Sequence, residues 1–279
     1  MNMEKRKLAL LNMYDGHPNQ GLRAIYEILE DYKEQIEVHE FDVRGKHEIA
    51  DTSFDIYIST GGPGNPLEGD GIWEKNWYNL IDSLWDANNS VQNEAEKKHA
   101  FFICHSFQMA CNHFGLGDIT RRVVPSFGVY PCHKTKAGKE DNLLTGLEDP
   151  YYIVDSREWQ LVQPKLKVFK EHGAQILSLE KIRTHLEYER AIMAVRFSEE
   201  FVGTQFHPEA DPHGMKVYFD KPESKEIVLK NYSVRKYNSM MKHLEDPERI
   251  SLTHQKIIPS FLNNALKKLK TVDYSSEHE

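Results

Sequence analysis

Ala100-Phe101-Phe102-Ile103-Cys104-His105-Ser106-Phe107-Gln108 passes from an unbroken apolar run into a mixed stretch with helical spacing. A short, uninterrupted apolar run fits a strand buried on both faces, the environment of a central strand in a parallel sheet. Ser106 to about Phe114 then reads as the helix that follows it. The same alternation extends outward. Lys7–Asn12, Ile36–Phe41 and Asp55–Ser59 read as strands, and Gly21–Lys33 as a helix with Leu22, Ile25, Ile28 and Leu29 on one face. Gly71–Asn88 reads as a stronger helix, with Trp73, Trp77, Leu80, Ile81, Leu84 and Trp85 at three- and four-residue spacing. Such β–α alternation predicts an α/β fold: a mostly parallel, doubly wound sheet with helices on both faces and ligands at the carboxyl ends of the strands.

After Gly115 the strand-like pieces shorten: Thr120–Pro125, Gly128–Lys134, Tyr151–Val154, Gln175–Leu179, Ala191–Phe197 and Phe201–Phe206. The last two, divided by Ser198-Glu199-Glu200, predict a hairpin. From Pro222 the chain is polar and helical. Glu223–Leu244 and Glu248–Lys270 read as helical segments, broken at Asp246-Pro247 and Pro259. We divide the chain into a domain over 1–215 and a C-terminal helical extension over 216–279. Apolar residues recur at helical spacing in the extension, including Ile257, Ile258, Phe261, Leu262, Leu266 and Leu269. Their surplus over core packing points to a homodimer.

Cys104 stands at the corner between its strand and its helix. A free thiol is mostly protonated near neutral pH, so a nucleophilic cysteine needs a base, itself held by a third group. The strand Phe201–Phe206 leads into His207-Pro208-Glu209, where the spacing lets Glu209 turn back and orient the imidazole of His207. Cys104, His207 and Glu209 form a candidate triad, recognised by roles rather than adjacency. A third segment, Asp55 to Ser59 followed by Thr60-Gly61-Gly62-Pro63-Gly64, is a strand running into a glycine-rich turn. Glycines there let backbone N–H groups approach a ligand, as an oxyanion hole requires. No Walker lysine or dinucleotide fingerprint accompanies them.

Taken together, the glycine loop, the Cys104 corner and His207-Pro208-Glu209 resemble the class I glutamine amidotransferases, including the glutamine amidotransferase-like domain of GMP synthase. Leu8 to Asn12 with Met13-Tyr14-Asp15-Gly16 also looks like that family's first strand and turn. The resemblance spans roughly residues 6 to 211 in the family's order and implies a flavodoxin-like three-layer fold. It implies Cys104 as nucleophile, His207 as base and Glu209 as its orienter. Backbone N–H groups of Gly62 and His105 would form the oxyanion hole, and Gln108 would contact substrate. The implied activity is amide hydrolysis through a thioester, releasing ammonia from glutamine or a related γ-glutamyl compound, with no cofactor. The implied partner is an ammonia-accepting synthase in trans. The chain departs from the family's elbow glycines at Phe102 and Ser106; glycine leaves room at such a corner, so the bulk of Phe102 must be absorbed by the core.

Three other readings stay open. Ile103-Cys104-His105 also looks like the elbow of the intracellular protease/chaperone-like hydrolases, where the adjacent histidine assists the thiol. Homoserine acyltransferases use the same kind of site on a related fold. A non-catalytic interaction protein is the third.

Composition narrows the classes. A net charge of −8 argues against a nucleic-acid partner, and no apolar run reaches the length of a membrane span. The N-terminal stretch lacks a small-residue cleavage site, so no signal peptide is expected. Three unpatterned cysteines, Cys104, Cys111 and Cys132, suit a reducing, cytoplasmic setting. His207, Glu209, Asp211 and His213 cluster without a His-Glu-x-x-His pattern, and no CxxC occurs, so no metal is expected.

Overall fold

The computed structural model describes residues 5–17, 19–182, 190–219, 222, 225, 226, 229, 233–244, 246 and 249–270. The elements run β1 (Arg6–Asn12), α1 (Gln20–Glu30), β2 (Ile36–Asp42), β3 (Ile56–Ser59), α2 (Trp73–Ser90), β4 (His99–Ile103) and α3 (His105–His113). Then follow β5 (Asp118–Lys134), α4 (Lys136–Glu140), β6 (Tyr151–Val162), α5 (Leu166–His172), β7 (Gln175–Glu180), β8 (Ile192–Arg196) and β9 (Phe201–Thr204). Among the described residues the chain ends with α6 (Pro212–Phe219), α7 (Val234–Leu244) and α8 (Ile250–Leu269).

Among the described residues, nine strands join one sheet in the order β2-β1-β3-β4-β9-β8-β7-β5-β6. The run β2-β1-β3-β4-β9 is parallel, and β8, β7, β5 and β6 continue it antiparallel. Every residue of β3 and β4 is buried, as expected of central parallel strands covered on both faces. Their alternate side chains feed two cores. Leu8, Leu10, Ile58 and Phe101 meet α1 and α8 on one face; Ala9, Leu11, Tyr57 and Phe102 meet α2 and α3 on the other. The result is three layers, and it brings the carboxyl ends of β1, β3, β4 and β9 to one rim.

The structure revises the reading of the second half. Thr120–Pro125 and Gly128–Lys134 belong to one long strand, β5, whose register against β6 shifts between Arg121 and Ser126. The piece at Tyr151–Val154 continues to Val162, and exposed Ser156 and Glu158 explain why no apolar run marked the extension. Pro259 does not break the last helix, because Ile257, Ile258, Phe261 and Leu262 are buried on either side of it. That burial offsets the lost N–H, and the Tyr32 hydroxyl donates to Pro259 O at 3.3 Å. Helix α7 occupies the end of the segment read as Glu223–Leu244, of which most of 223–232 lies outside the described residues.

A division between 215 and 216 is not a spatial one. It falls inside α6, and α8 lies in the same core as β1, β3 and β4. The apolar residues of α8 that suggested a second subunit are buried within the chain itself. Among the described residues, no helix is long and apolar enough to cross a membrane.

Candidate functional site

Cys104 occupies the corner that its sequence position predicts, between β4 and α3. Its backbone is forced to φ 48°, ψ −96°, a conformation unfavourable for a residue with a side chain. Three bonds hold the corner. Cys104 N–H donates to Thr204 O at 2.8 Å, Ser106 Oγ donates to Ser59 O at 2.7 Å, and Ile103 N–H donates to Ser106 Oγ at 3.0 Å. Ser106 therefore does more than tolerate the place of a glycine: its hydroxyl ties the elbow to the end of β3. Phe102 is 1% exposed and sits edge-on to Trp77, Phe197 and Phe201 at 5.7–5.9 Å. Its room comes from the neighbouring strand, where its register partner is Gly203. A Cβ on Gly203 would lie 3.0 Å from Phe102 Cβ and 2.8 Å from Phe102 O. The bulk is absorbed by the core behind the elbow, as expected.

His207 leaves β9 with its own N–H donating to Val154 O at 2.9 Å, and its Nδ1 lies 2.8 Å from Glu209 Oε1. Its Nε2 takes no part in that bond, and the ring lies beside Cys104, with His207 Cε1 and Cys104 Cβ flanking the same face of Gly61. Burial alone would push the imidazole pKa down. The charge of Glu209, then that of Cys104, then hydrogen bonds to both carry it well above its ordinary value. Glu209 is fully buried, with the Tyr14 hydroxyl close enough to feel its charge. Burial, then the charges of Glu209 and Cys104, hold the Tyr14 hydroxyl far above its usual pKa, so it stays a donor.

Gly61 and Gly62 are glycines for reasons of space. A Cβ on Gly61 would come within 2.9 Å of His207 Cε1 and 3.5 Å of Cys104 Cβ. A Cβ on Gly62 would lie 2.4 Å from Met13 O. The loop is clamped by Arg44, whose Nη1 donates to Pro63 O at 2.6 Å and reaches Met13 O at 3.4 Å. The Arg44 guanidinium lies 4.9 Å from the centre of the Trp73 ring, a cation–π arrangement. Arg44 was not legible as a site residue; it follows β2 in a polar loop with no motif around it.

His105 packs its ring against Trp73 at 6.3 Å, and its buried Nε2 makes no hydrogen bond. Burial, then the charge of Arg44, depresses its pKa to about 3. A base that weak does not take a thiol proton near neutral pH, which disfavours the adjacent-histidine reading. Gln108 turns its amide nitrogen to Trp159 O at 2.9 Å and to Gln205 Oε1 at 3.1 Å. Gln205, fully buried and not singled out in the sequence, sits between Gln108 and the thiol, with Nε2 3.9 Å from Sγ. The thiol itself points at Ser156 O, 3.6 Å away. All six residues expected at the site, Cys104, His207, Glu209, Gly62, His105 and Gln108, line one open cleft of about 650 Å³. Cys111 and Cys132 lie in the cores, where burial raises Cys111 well above its usual range and Cys132 to about 11.

The profile of the family "Glutamine amidotransferase class-I" matches residues 18–224. The chain belongs to the class I glutamine amidotransferase family. Among solved structures, it is similar to a glutamine amidotransferase from Thermotoga maritima, with TM-score 0.68 and 14% identity over 95% of this chain and 100% of that one. A glutamine amidotransferase from Methylobacillus flagellatus aligns with TM-score 0.66 and 14% identity over 99% of each chain. The glutaminase domain of Trypanosoma brucei CTPS aligns with TM-score 0.55 and 11% identity over 74% of this chain and 86% of that one. At these identities the likeness is one of fold. A comparison with curated proteins finds no match. Among the described residues, no three His, Cys, Asp or Glu side chains are grouped to hold a metal ion.

Proposed function

We propose that this class I amidotransferase domain is a cysteine-dependent glutaminase working through a γ-glutamyl thioester. The observation that carries the reading is the His207–Glu209 hydrogen bond beside Cys104, whose backbone is strained at a corner of the same cleft. The raised His207 pKa makes its ring a ready acceptor for the thiol proton, and that transfer gives the thiolate–imidazolium pair that starts the reaction. The Cys104 thiolate adds to the side-chain amide carbonyl of glutamine. Backbone N–H groups of Gly62 and His105 receive the oxyanion; His105 opens α3, so its N–H has no partner within the helix. As the C–N bond breaks, the imidazolium of His207 gives its proton to the departing nitrogen, and ammonia leaves. Water then loses a proton to His207 and attacks the thioester. The C–S bond breaks, glutamate leaves, and the thiolate and imidazolium are restored. Glu209 stabilises the imidazolium without taking its proton. Gln108, with its amide nitrogen engaged, offers substrate its carbonyl oxygen.

The ammonia would pass to a synthase acting in trans, and three unpaired cysteines suit a reducing, cytoplasmic setting. Ammonia and glutamate release from glutamine tests the reading. Wild-type protein should release both in equal amounts, and Cys104→Ser neither. Equal rates for the two proteins would remove Cys104 from the reaction.

A further inference from the structure

The family match ends at residue 224, yet α8, which begins at Ile250, is bonded to the backbone that carries the base and its orienter. Thr253 Oγ1 donates to Tyr152 O at 2.5 Å, and His254 Nδ1 lies 2.8 Å from Glu209 O. A carbonyl only accepts, so Nδ1 of His254 carries the proton. We propose that the first turns of α8, through Thr253 and His254, position the His207–Glu209 pair, making the last helix of the chain a working part of the site. The proposal rests on the glutaminase reading above.

The placement of Glu209 shows why such a hold matters. It lies in a turn beyond the end of β9, outside the sheet ladder, where its backbone is fixed by contacts rather than by strand pairing. Its Oε1 meets His207, and its buried Oε2 has no hydrogen-bond partner. The side chain does not anchor itself on both oxygens, so the position of its carboxylate depends on the main chain. Within the turn that main chain is closed by Ala210 N–H to His207 O, at 3.3 Å. His254 supplies an anchor from outside the turn.

Thr253 acts one step further back. Tyr152 O, which it holds, is two residues before Val154 O, the acceptor of the His207 N–H. Alternate carbonyls of one strand edge point the same way, so fixing the first steadies the second. Arg249 adds a third contact, its guanidinium 4.0 Å from the centre of the Tyr152 ring. The helix is a rigid mount for these groups, because Ile257, Ile258, Phe261 and Leu262 are buried in the core with β1, β3 and β4.

The test uses the full-length chain, with kcat and KM for glutamine and the thermal midpoint measured for each variant. His254→Leu should lower kcat by about tenfold or more, since small misplacements of catalytic groups are expensive, while KM stays within about twofold. His254→Asn places an amide N–H where the imidazole Nδ1–H lay, and should restore kcat to within about threefold of wild type. Thr253→Val should lower kcat less than His254→Leu. A wild-type kcat in His254→Leu, or equal impairment in His254→Leu and His254→Asn, would overturn the proposal. Should His254→Leu fail to fold, His254→Gln carries its donor one methylene further out and should recover less than His254→Asn; equal, low activity in both overturns the proposal too. A wild type that neither turns over glutamine nor is alkylated at Cys104 by a glutamine-mimicking electrophile would remove the glutaminase reading and this proposal with it. Active wild type with an unaffected His254→Leu would remove the proposal alone.

Discussion

Strands β3, β4 and β9, in the parallel half of the sheet, lead into Gly61-Gly62, Cys104 and His207, so that half brings specific residue types to the rim. Strand β6, at the antiparallel edge, meets the site with its main chain. Val154 O accepts from the His207 N–H, Ser156 O from the Cys104 thiol and Trp159 O from Gln108. Its place at the end of the strand order leaves one edge unpaired, and the alternate carbonyls of Val154 and Ser156, which share one edge of the strand, act with Trp159 O as a rail. The parallel half depends on particular side chains, because thiol, imidazole, carboxylate and the missing Cβ of glycine have no substitutes. The antiparallel half depends on strand geometry, because every residue has a carbonyl.

Substitutions should separate the two halves. The largest effects belong to the triad: His207→Ala should lower glutamine turnover by about 100- to 10,000-fold, the range for loss of a general acid–base. Glu209→Gln should fall between that variant and wild type, since it keeps a partner for the ring and loses the charge. A His207→Ala enzyme within tenfold of wild type would break the assignment of the chemistry to the parallel half.

Gly61→Ala comes next. Its methyl would meet His207 Cε1 at 2.9 Å, too close for the ring to stay in place, and misplacing a catalytic group by about 1 Å costs roughly a hundredfold. Steady-state kinetics with the thermal midpoint checks it. Unchanged kcat would mean that the ring and the loop give way together.

Acid should weaken the parallel half. His99 opens β4 and His105 follows its end. Burial first, with neighbouring cations, depresses them to about 4 and about 3. The unfolded chain protonates both near pH 6.5 while the folded one excludes the protons, so stability falls as pH drops from about 6.5 towards 4. His99→Gln should reduce that slope in thermal melts recorded across the range. An identical slope would assign the acid sensitivity to other groups.

The smallest effect is expected on the rail. Ser156 is exposed and contributes its carbonyl, so Ser156→Ala should keep kcat within about twofold of wild type, as for surface positions generally. A large loss would show that its hydroxyl acts on substrate and would blur the distinction between the halves.

The same distinction explains what was legible. The β–α alternation, Cys104, His207-Pro208-Glu209 and the Gly61-Gly62 loop were readable because each is a residue type that the fold or the chemistry demands. The rail was not, since a carbonyl leaves no mark in sequence and the exposed Ser156 and Glu158 interrupt the apolar signal of β6. Arg44 carries no sequence signal because its role is to donate to the main chain of Met13 and Pro63 across a long separation. Phe102 looked anomalous in a local motif. Its explanation, Gly203, is distant in sequence and adjacent only in the sheet. Helix α8 was readable as a helix, but its place beneath β1, β3 and β4 is a matter of tertiary packing.

The central claim is that Cys104 is the activated nucleophile of a glutamine-recognising site. It is tested most directly with a chloroketone analogue of glutamine, by intact mass followed by peptide mapping. The account predicts a single adduct on Cys104, formed faster than with iodoacetamide, slowed by competing glutamine and greatly slowed in His207→Ala. Cys111 and Cys132, whose buried thiols are held above their usual pKa, should stay unmodified. No adduct, or labelling spread evenly over the three cysteines, would contradict it.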